Sequence, residues 1–367
     1  MPNRAADWLR LALARGVGPR TGRELVAAAG SIEAVWRLPD MPERARGVRL
    51  RLVEALADSD ATFAARILEQ CRERGIHLLC PDDEAWPPLL EACPDAPLAL
   101  FALGDVSTLN HPRLLAVVGA RKATREGRLL TRRWCRFLSE AGVGIVSGMA
   151  WGIDAAAHGG ALEGASPTIA VLGQGLAADF TPEQERQIEA VAARGCVLSE
   201  FPPQTRARPE HFPRRNRIIA GLSAGTLVME ADVRSGSLIT ARKAADYGRE
   251  VMAVPGSVLN GRHAGCHSLI AEGATLVESA EDVLRALGWR AVPGRAGGGW
   301  EPADAREAAI AEALAREIMH VDALAEHCGL TVSELSPILL ALELAGVVEQ
   351  LPGGRYALGA GFAPEQG

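Results

Sequence analysis

The sequence predicts an α/β protein: a doubly wound parallel sheet, with a helical N-terminal domain before it and a C-terminal winged helix after it. Three observations carry this. Between residues 76 and 290, short β-branched apolar runs alternate with helical stretches, the pattern of a parallel sheet with helices on both faces. Residues 1–75 show helical periodicity alone. Residues 305–360 read as three helices and then two short strands around a Pro-Gly-Gly turn, which is a winged-helix arrangement.

In the first block the helical stretches are Ala5–Arg15, Pro19–Ala29, Ile32–Leu38 and a longer segment, Leu50–Arg74. Gly16-Val17-Gly18-Pro19 makes a sharp joint in which Pro19 is placed to open the next helix. Such a joint can present backbone N–H groups to a phosphate, or serve only as a tight connector. In the central block the expected strands are Leu114–Val118, Gly144–Ser147, Thr168–Leu172, Cys196–Ser199, Thr226–Glu230, Glu250–Val254 and Thr275–Val277. Gly127–Ala141, Ile153–Glu163, Pro182–Arg194 and Ser237–Tyr247 are the helices between them. Right-handed crossovers put the carboxyl ends of such strands on one rim, where open α/β sheets bind ligands. Residues 291–304 are a Gly/Pro-rich linker. In the last block the third helix, Thr331 to Ala345, carries Glu334 and Glu343 and no Lys or Arg. Phosphate neutralisation needs cations, so a protein-contact or structural role is expected of it rather than groove reading.

Composition narrows the function classes. The 367 residues suffice for two or three domains. A net charge of −6 excludes a generally polycationic nucleic-acid binder but leaves room for a local basic patch. No apolar run reaches the length that spans a bilayer. Arg4, Asp7 and Arg10 fall where a signal peptide would be apolar. The seven cysteines are scattered without a CxxC pair, so neither a metal site nor a disulfide framework is suggested, and a reducing cytoplasm is expected. No cofactor is called for.

The candidate site lies after the strand ends. Leu114–Val118 runs into Gly119-Ala120-Arg121-Lys122, which has neither a dinucleotide fingerprint nor a P-loop. It does place two cations and a helix start where an anion would sit. Arg121, Lys122, Arg125, Arg128, Arg132, Arg133 and Arg136 face Glu126 alone in this stretch, and for Arg132 and Arg136 a solvated helix face is the plainer account. The next strand ends in Ser147-Gly148, small residues that permit close backbone approach, with Asp154 as a helix cap. The segment from Ser199 to Gly221 reads as a loop holding Arg206, Arg208, Arg214, Arg215 and Arg217 among Phe201, Phe212 and Asn216. Cations interleaved with aromatics are the ingredients of single-strand binding. Ser235 and Gly236 form a further N–H-rich turn. Together these loops describe a wide phosphate-binding rim. In that reading Arg121, Lys122, Arg214, Arg215 and Arg217 meet phosphates, and Phe212 stacks on a base.

The stretches VVGARKAT, GIVSGMAWGIDAAAH, AVLGQGL, LSEFPP, HFPRRNRIIAGLS, VMEADVRSGSLITARKAADYGREVMAVPG and GCHSLIAEGATLV resemble the DprA/Smf family of DNA-processing proteins, in order, over most of residues 115–280. The resemblance implies an extended Rossmann-like domain between a sterile-alpha-motif-like N-terminus and a winged helix. It implies a non-enzymatic, dimeric protein that binds and protects incoming single-stranded DNA and loads the RecA recombinase in natural transformation. The family's Gly-[Ser/Ala]-Arg arginine falls on Arg121, and its Ser-Gly pair on Ser147 and Gly148. Its Phe-Pro-x-Arg-Asn-Arg segment falls on Phe212, Pro213, Arg215, Asn216 and Arg217, and its dimer contact on His267 and Leu276. The loop Gly173–Pro182 departs from the pattern: Asp179 comes two positions late and Phe180 replaces Tyr.

Two alternatives come from other classes. In a nucleotide phosphoribohydrolase reading Glu230 is the catalytic carboxylate, although Leu222-Ser223 replace the paired glycines such enzymes carry. The plainer account of Glu230 is that it ends a buried strand and orients a loop arginine. A DNA-bound regulator acting through the winged helix is disfavoured by the missing cations.

Overall fold

The structure, a computed structural model, describes residues 4–40, 50–290, 302–344 and 347–358. They fall into two compact units, which divide at Arg290.

The first unit begins with helices α1 (Arg4–Leu13), α2 (Pro19–Ala29), α3 (Ile32–Val35), α4 (Leu50–Ala57) and α5 (Ala61–Glu73). The expected single helix over Leu50–Arg74 is two. Asp60 accepts from the backbone N–H of Thr62 and Phe63 and so starts a new helix at that point. Strand β1 (His77–Leu79), helix α6 (Pro88–Glu91) and strand β2 (Leu100–Gly104) follow, in a stretch to which the sequence reading assigns no strand. The chain continues as β3 (Leu114–Val118), α7 (Arg125–Glu140), β4 (Gly144–Ser147), α8 (Ile153–Glu163), β5 (Thr168–Leu172), α9 (Pro182–Arg194) and β6 (Cys196–Ser199). It ends as α10 (His211–Leu222), β7 (Gly225–Val228), α11 (Ser237–Asp246), β8 (Glu250–Ala253), α12 (Ala264–Ala271), β9 (Thr275–Leu276) and α13 (Ala280–Ala286).

The nine strands form one sheet in the order β1-β2-β6-β5-β4-β3-β7-β8-β9. Seven are parallel, whereas β2 pairs antiparallel with β6 and β1 antiparallel with β2. The sheet is therefore mixed rather than wholly parallel. β3 through β7 are buried along their whole length, as expected for strands covered on both faces. Leu9, Ala64, Ile67 and Cys71 of the N-terminal helices share one apolar cluster with Phe101, Ala170, Leu172 and Val197, so these helices cover the antiparallel end of the sheet.

The largest departure from the sequence reading is α10. In the sequence reading the proline and arginines of residues 211–222 belong to a loop. Pro213 instead sits in the first turn, where its missing N–H is one the helix leaves unpaired anyway. From Arg215 to Leu222 every residue is buried.

The second unit comprises α14 (Ala305–Arg316), β10 (Met319–His320), α15 (Val321–His327), α16 (Val332–Leu344), β11 (Val348–Leu351) and β12 (Arg355–Leu358). Three helices and the β11–β12 hairpin make a winged helix, to which β10 adds a third strand on β12. Its core includes Ile310, Leu314, Leu324, Leu335, Leu339 and Leu342. Most of the expected linker, residues 291–301, lies outside the described residues. Among the described residues no helix is long and apolar enough to cross a membrane.

Candidate nucleic-acid interface

In the sheet order, β3 pairs with β4 on one side and with β7 on the other. Winding reverses there, and the loops leaving β3 and β7 part to open a crevice at the carboxyl ends of the strands. A cleft of about 1050 Å³ occupies this place. Its walls come from the loops after β3, β4, β7 and β8 and from the first turns of α10 and α11.

The β3 loop is stitched into position by its backbone. Ala120 N–H donates to the Glu230 carbonyl (2.7 Å), and Ile153 N–H donates to the Ala120 carbonyl (3.2 Å). Gly119 is required there, because a Cβ would lie 2.5 Å from Ile153 Cγ1 and 2.9 Å from the Glu230 carbonyl oxygen. Arg121 and Lys122 follow this anchored pair, and both side chains are exposed. The Arg121 guanidinium lies over the Phe212 ring, 4.9 Å from its centroid. The Lys122 carbonyl accepts from Arg262 Nη1 at 3.0 Å. Arg262, Arg234 and Asn260 also line the cleft. The sequence reading gives none of the three a role.

Glu230, 1 % exposed, accepts from Thr124 N–H with both carboxylate oxygens (3.1 Å each) and from the Thr124 hydroxyl (2.6 Å). Thr124 in turn accepts from Gly127 N–H at the start of α7. Glu230 thus ties the end of β7 to the first turn of α7, with the Arg262 guanidinium 3.9 Å away. A carboxylate engaged in this way braces the Arg121 loop, which supports the strut account and not the hydrolase one.

A second network runs along the cleft floor, where Asp154, Arg215 and Asn216 line it. Arg215 is 4 % exposed. Its guanidinium donates to the carbonyls of Gly148 (2.6 Å) and Val171, and to Asn216 Oδ1 (3.1 Å). Asn216 Nδ2 donates to the Gly236 carbonyl (3.2 Å). Asp154 accepts from Gly148 N–H (3.2 Å) and Ala150 N–H (3.4 Å), so it holds the loop before α8 instead of capping that helix in the ordinary way. Burial pushes the Asp154 carboxyl up, and the Arg215 charge pulls it back down. Burial likewise presses the Arg215 pKa down, to about 10, which leaves it charged at neutral pH. The Ser147 hydroxyl, fully buried, donates to the Val117 carbonyl (2.6 Å).

These contacts give the expected residues a structural part as well. Ser147, Gly148, Arg215 and Asn216 are all engaged in bonds that fix the loops surrounding the cleft, while Arg215 and Asn216 also line it. Arg217, 7 % exposed, is paired with Glu200, which also takes Arg214 Nε at 2.9 Å. Sequence reasoning gives Glu200 no role, yet it pairs with both arginines. Arg214 keeps half of its side chain exposed and lies 5.4 Å from the Phe201 ring centroid. The other neighbour of Phe201 is the His211 ring, stacked at 4.1 Å. Phe212 is half-buried and lines the cleft, with Arg121 over its ring and the backbone of Gly173 alongside. Ser235 and Gly236 do line the cleft, Gly236 exposed and Ser235 bonded to Ser237 Oγ at 2.8 Å. His267 on α12 and Leu276 on β9, the latter 46 % exposed, lie outside the cleft lining, at the β9 end of the sheet.

Residues 77–288 match the family model described as DNA recombination-mediator protein A, residues 300–354 the DprA winged helix domain, and residues 2–58 the DprA-like N-terminal HHH domain. Protein Smf of Escherichia coli K12 is 37% identical over 360 residues, which cover 96% of this chain and 95% of that protein. The X-ray structure of DNA processing protein A from Streptococcus pneumoniae aligns with a TM-score of 0.67 at 34% identity, over 78% of this chain and 98% of that one. DNA processing protein A from Helicobacter pylori, whose structure is described for its single-stranded DNA binding mode, aligns at 0.52 and 27% identity, over 58% of this chain and 95% of that one. The chain therefore belongs to the DprA/Smf family of DNA-processing proteins.

Proposed function

We propose that the chain binds single-stranded DNA in the cleft between the β3 and β7 loops and, as a dimer, delivers it to a RecA-type recombinase. One observation carries the DNA reading: Arg121 and Lys122 are held exposed on a backbone-anchored loop at the winding reversal, at the mouth of an open cleft that Arg262 and Arg234 also line. Fixed cations around an open groove suit a polyanion that passes through, with little reading of sequence. The single-strand binding described for the Helicobacter pylori relative supports the same choice. Delivery to a recombinase rests on the family's description as a recombination mediator, and dimerisation on the family resemblance at His267 and Leu276. The other site residues act indirectly: Arg215, Asn216, Ser147 and Gly148 position the loops, and Arg217 and Glu200 seat α10.

The test is fluorescence anisotropy of labelled oligothymidine and of a matched duplex at two salt concentrations. The expected result is preferential, salt-sensitive binding of the single strand, lost in Arg121→Glu. Equal binding by wild type and Arg121→Glu would overturn the assignment. For the dimer, a His267→Ala/Leu276→Arg protein that sediments as the wild type does would remove that interface.

A further inference from the structure

Single-strand binding needs a surface on which bases can stack as well as cations for the phosphates, and the two phenylalanines of the arginine-rich segment offer little open ring. Phe201 is 5 % exposed and covered by His211 and Arg214, and Phe212, half-buried in the cleft wall, has the Arg121 guanidinium over its ring. Among the described residues, the Trp, Phe and Tyr side chains that stand exposed are Phe63, on α5, and Trp151, 57 % exposed, in the loop between β4 and α8.

Trp151 sits beside the cleft on a loop with little freedom. Ala150 before it and Asp154 after it both line the cleft. A Cβ on Gly152, which has φ +84°, would lie 2.6 Å from the Arg121 carbonyl oxygen, so the backbone next to Trp151 is packed on that of Arg121. Met149 is the described non-glycine residue with positive φ, +54°, a conformation that persists where the surroundings impose it. Asp154, accepting from Gly148 and Ala150 N–H, supplies that constraint, as does the Ile153 N–H bond to Ala120. An indole on a pinned loop gives up little freedom when a flat partner lands on it.

We infer that Trp151 is a base-stacking platform, receiving a nucleobase of the strand whose phosphates meet Arg121 and Lys122. The inference rests on the proposed single-strand reading and adds to it the residue that engages the bases.

The experiment compares oligothymidine with an abasic oligonucleotide of equal length, which keeps the phosphates and lacks the bases. Trp151→Ala is expected to weaken oligothymidine binding by roughly 5- to 150-fold, the range that stacking one base on an aromatic ring provides. Binding of the abasic strand stays as in wild type. Trp151→Phe keeps most of the affinity, and loses the quenching of tryptophan emission that wild type shows on oligothymidine addition. Arg121→Ala weakens both ligands. Trp151→Ala binding oligothymidine as wild type does, or weakening both ligands alike, would overturn the platform while leaving the cleft reading intact. Wild type binding neither ligand would overturn both. Exposure of the indole makes a folding defect unexpected; if Trp151→Ala is destabilised, Trp151→Leu and Trp151→Phe carry the same comparison.

Discussion

Arg215→Met keeps much of the side chain's apolar bulk while removing its charge and every donor. In the wild type that guanidinium serves the carbonyls of Gly148 and Val171 and faces the buried Asp154 carboxylate. Removing one member of a buried charge arrangement costs about 3–5 kcal/mol, because the partner stays behind uncompensated. The unit that carries the site runs to Arg290. At about 2.1 cal/mol/K per residue its unfolding entropy is roughly 0.6 kcal/mol/K, so the loss corresponds to a fall in Tm of ~5–8 °C. The penalty depends on pH with a defined sign. Without Arg215 the carboxyl loses the charge that pulled its pKa down, so Asp154 takes up a proton at higher pH in the variant than in the wild type. Protonation removes the buried uncompensated charge, and the gap between variant and wild type should narrow as the pH falls from about 7.5 towards 5. Differential scanning calorimetry at both pH values, alongside oligothymidine anisotropy at a temperature where both proteins are folded, measures this. A variant that melts within about 1 °C of wild type at neutral pH and yet fails to bind oligothymidine would refute the argument, since Arg215 would then be a DNA ligand and not a strut.

Three further outcomes rest on the same contacts. Arg121→Ala should leave Tm unchanged and make log K against log salt shallower by about 0.7 for each phosphate no longer neutralised, so that between 50 and 200 mM salt it loses roughly 2.6-fold less affinity than wild type, read by anisotropy. Glu230→Ala removes the acceptor of the Thr124 N–H and hydroxyl bonds and should cost about 2–4 kcal/mol in urea unfolding while also weakening oligothymidine binding through a loosened Arg121 loop. His158 is buried on Thr168 Oγ1, and burial lowers its pKa to about 4. Its contribution is present above its unfolded pKa near 6.5 and is lost as pH falls towards 4, so urea midpoints should show about 2–3 kcal/mol lost from this residue by pH 4.5, a loss absent in His158→Gln.

Much of the fold was legible because its signals are local. Apolar β-branched runs marked β3, β4, β5 and β6 at their observed ends, and the Gly-bounded and Pro-started helices α2, α8 and α9 likewise. The first strands were not legible: Leu100–Gly104 is an apolar run that can be either helix or strand on periodicity alone, and its antiparallel pairing with β6 is decided by a distant segment. The proline in α10 reads as a breaker because its place within the first turn is invisible until the helix start is known.

Short-range pattern and chain connectivity were enough to establish the succession of strands from β3 to β9, the rim on which their loops gather, and the two cations that lead the candidate site, Arg121 and Lys122. Which arginines face solvent was settled only by packing. Five in one segment look alike in sequence, yet a helix buries Arg215 and Arg217, and Glu200 pairs with Arg217 and Arg214. The same packing covers Phe201, half-buries Phe212 and leaves Trp151 exposed. Whether a charge or a ring is available to a ligand depends on what has been packed against it, and that is set by residues far away in the chain.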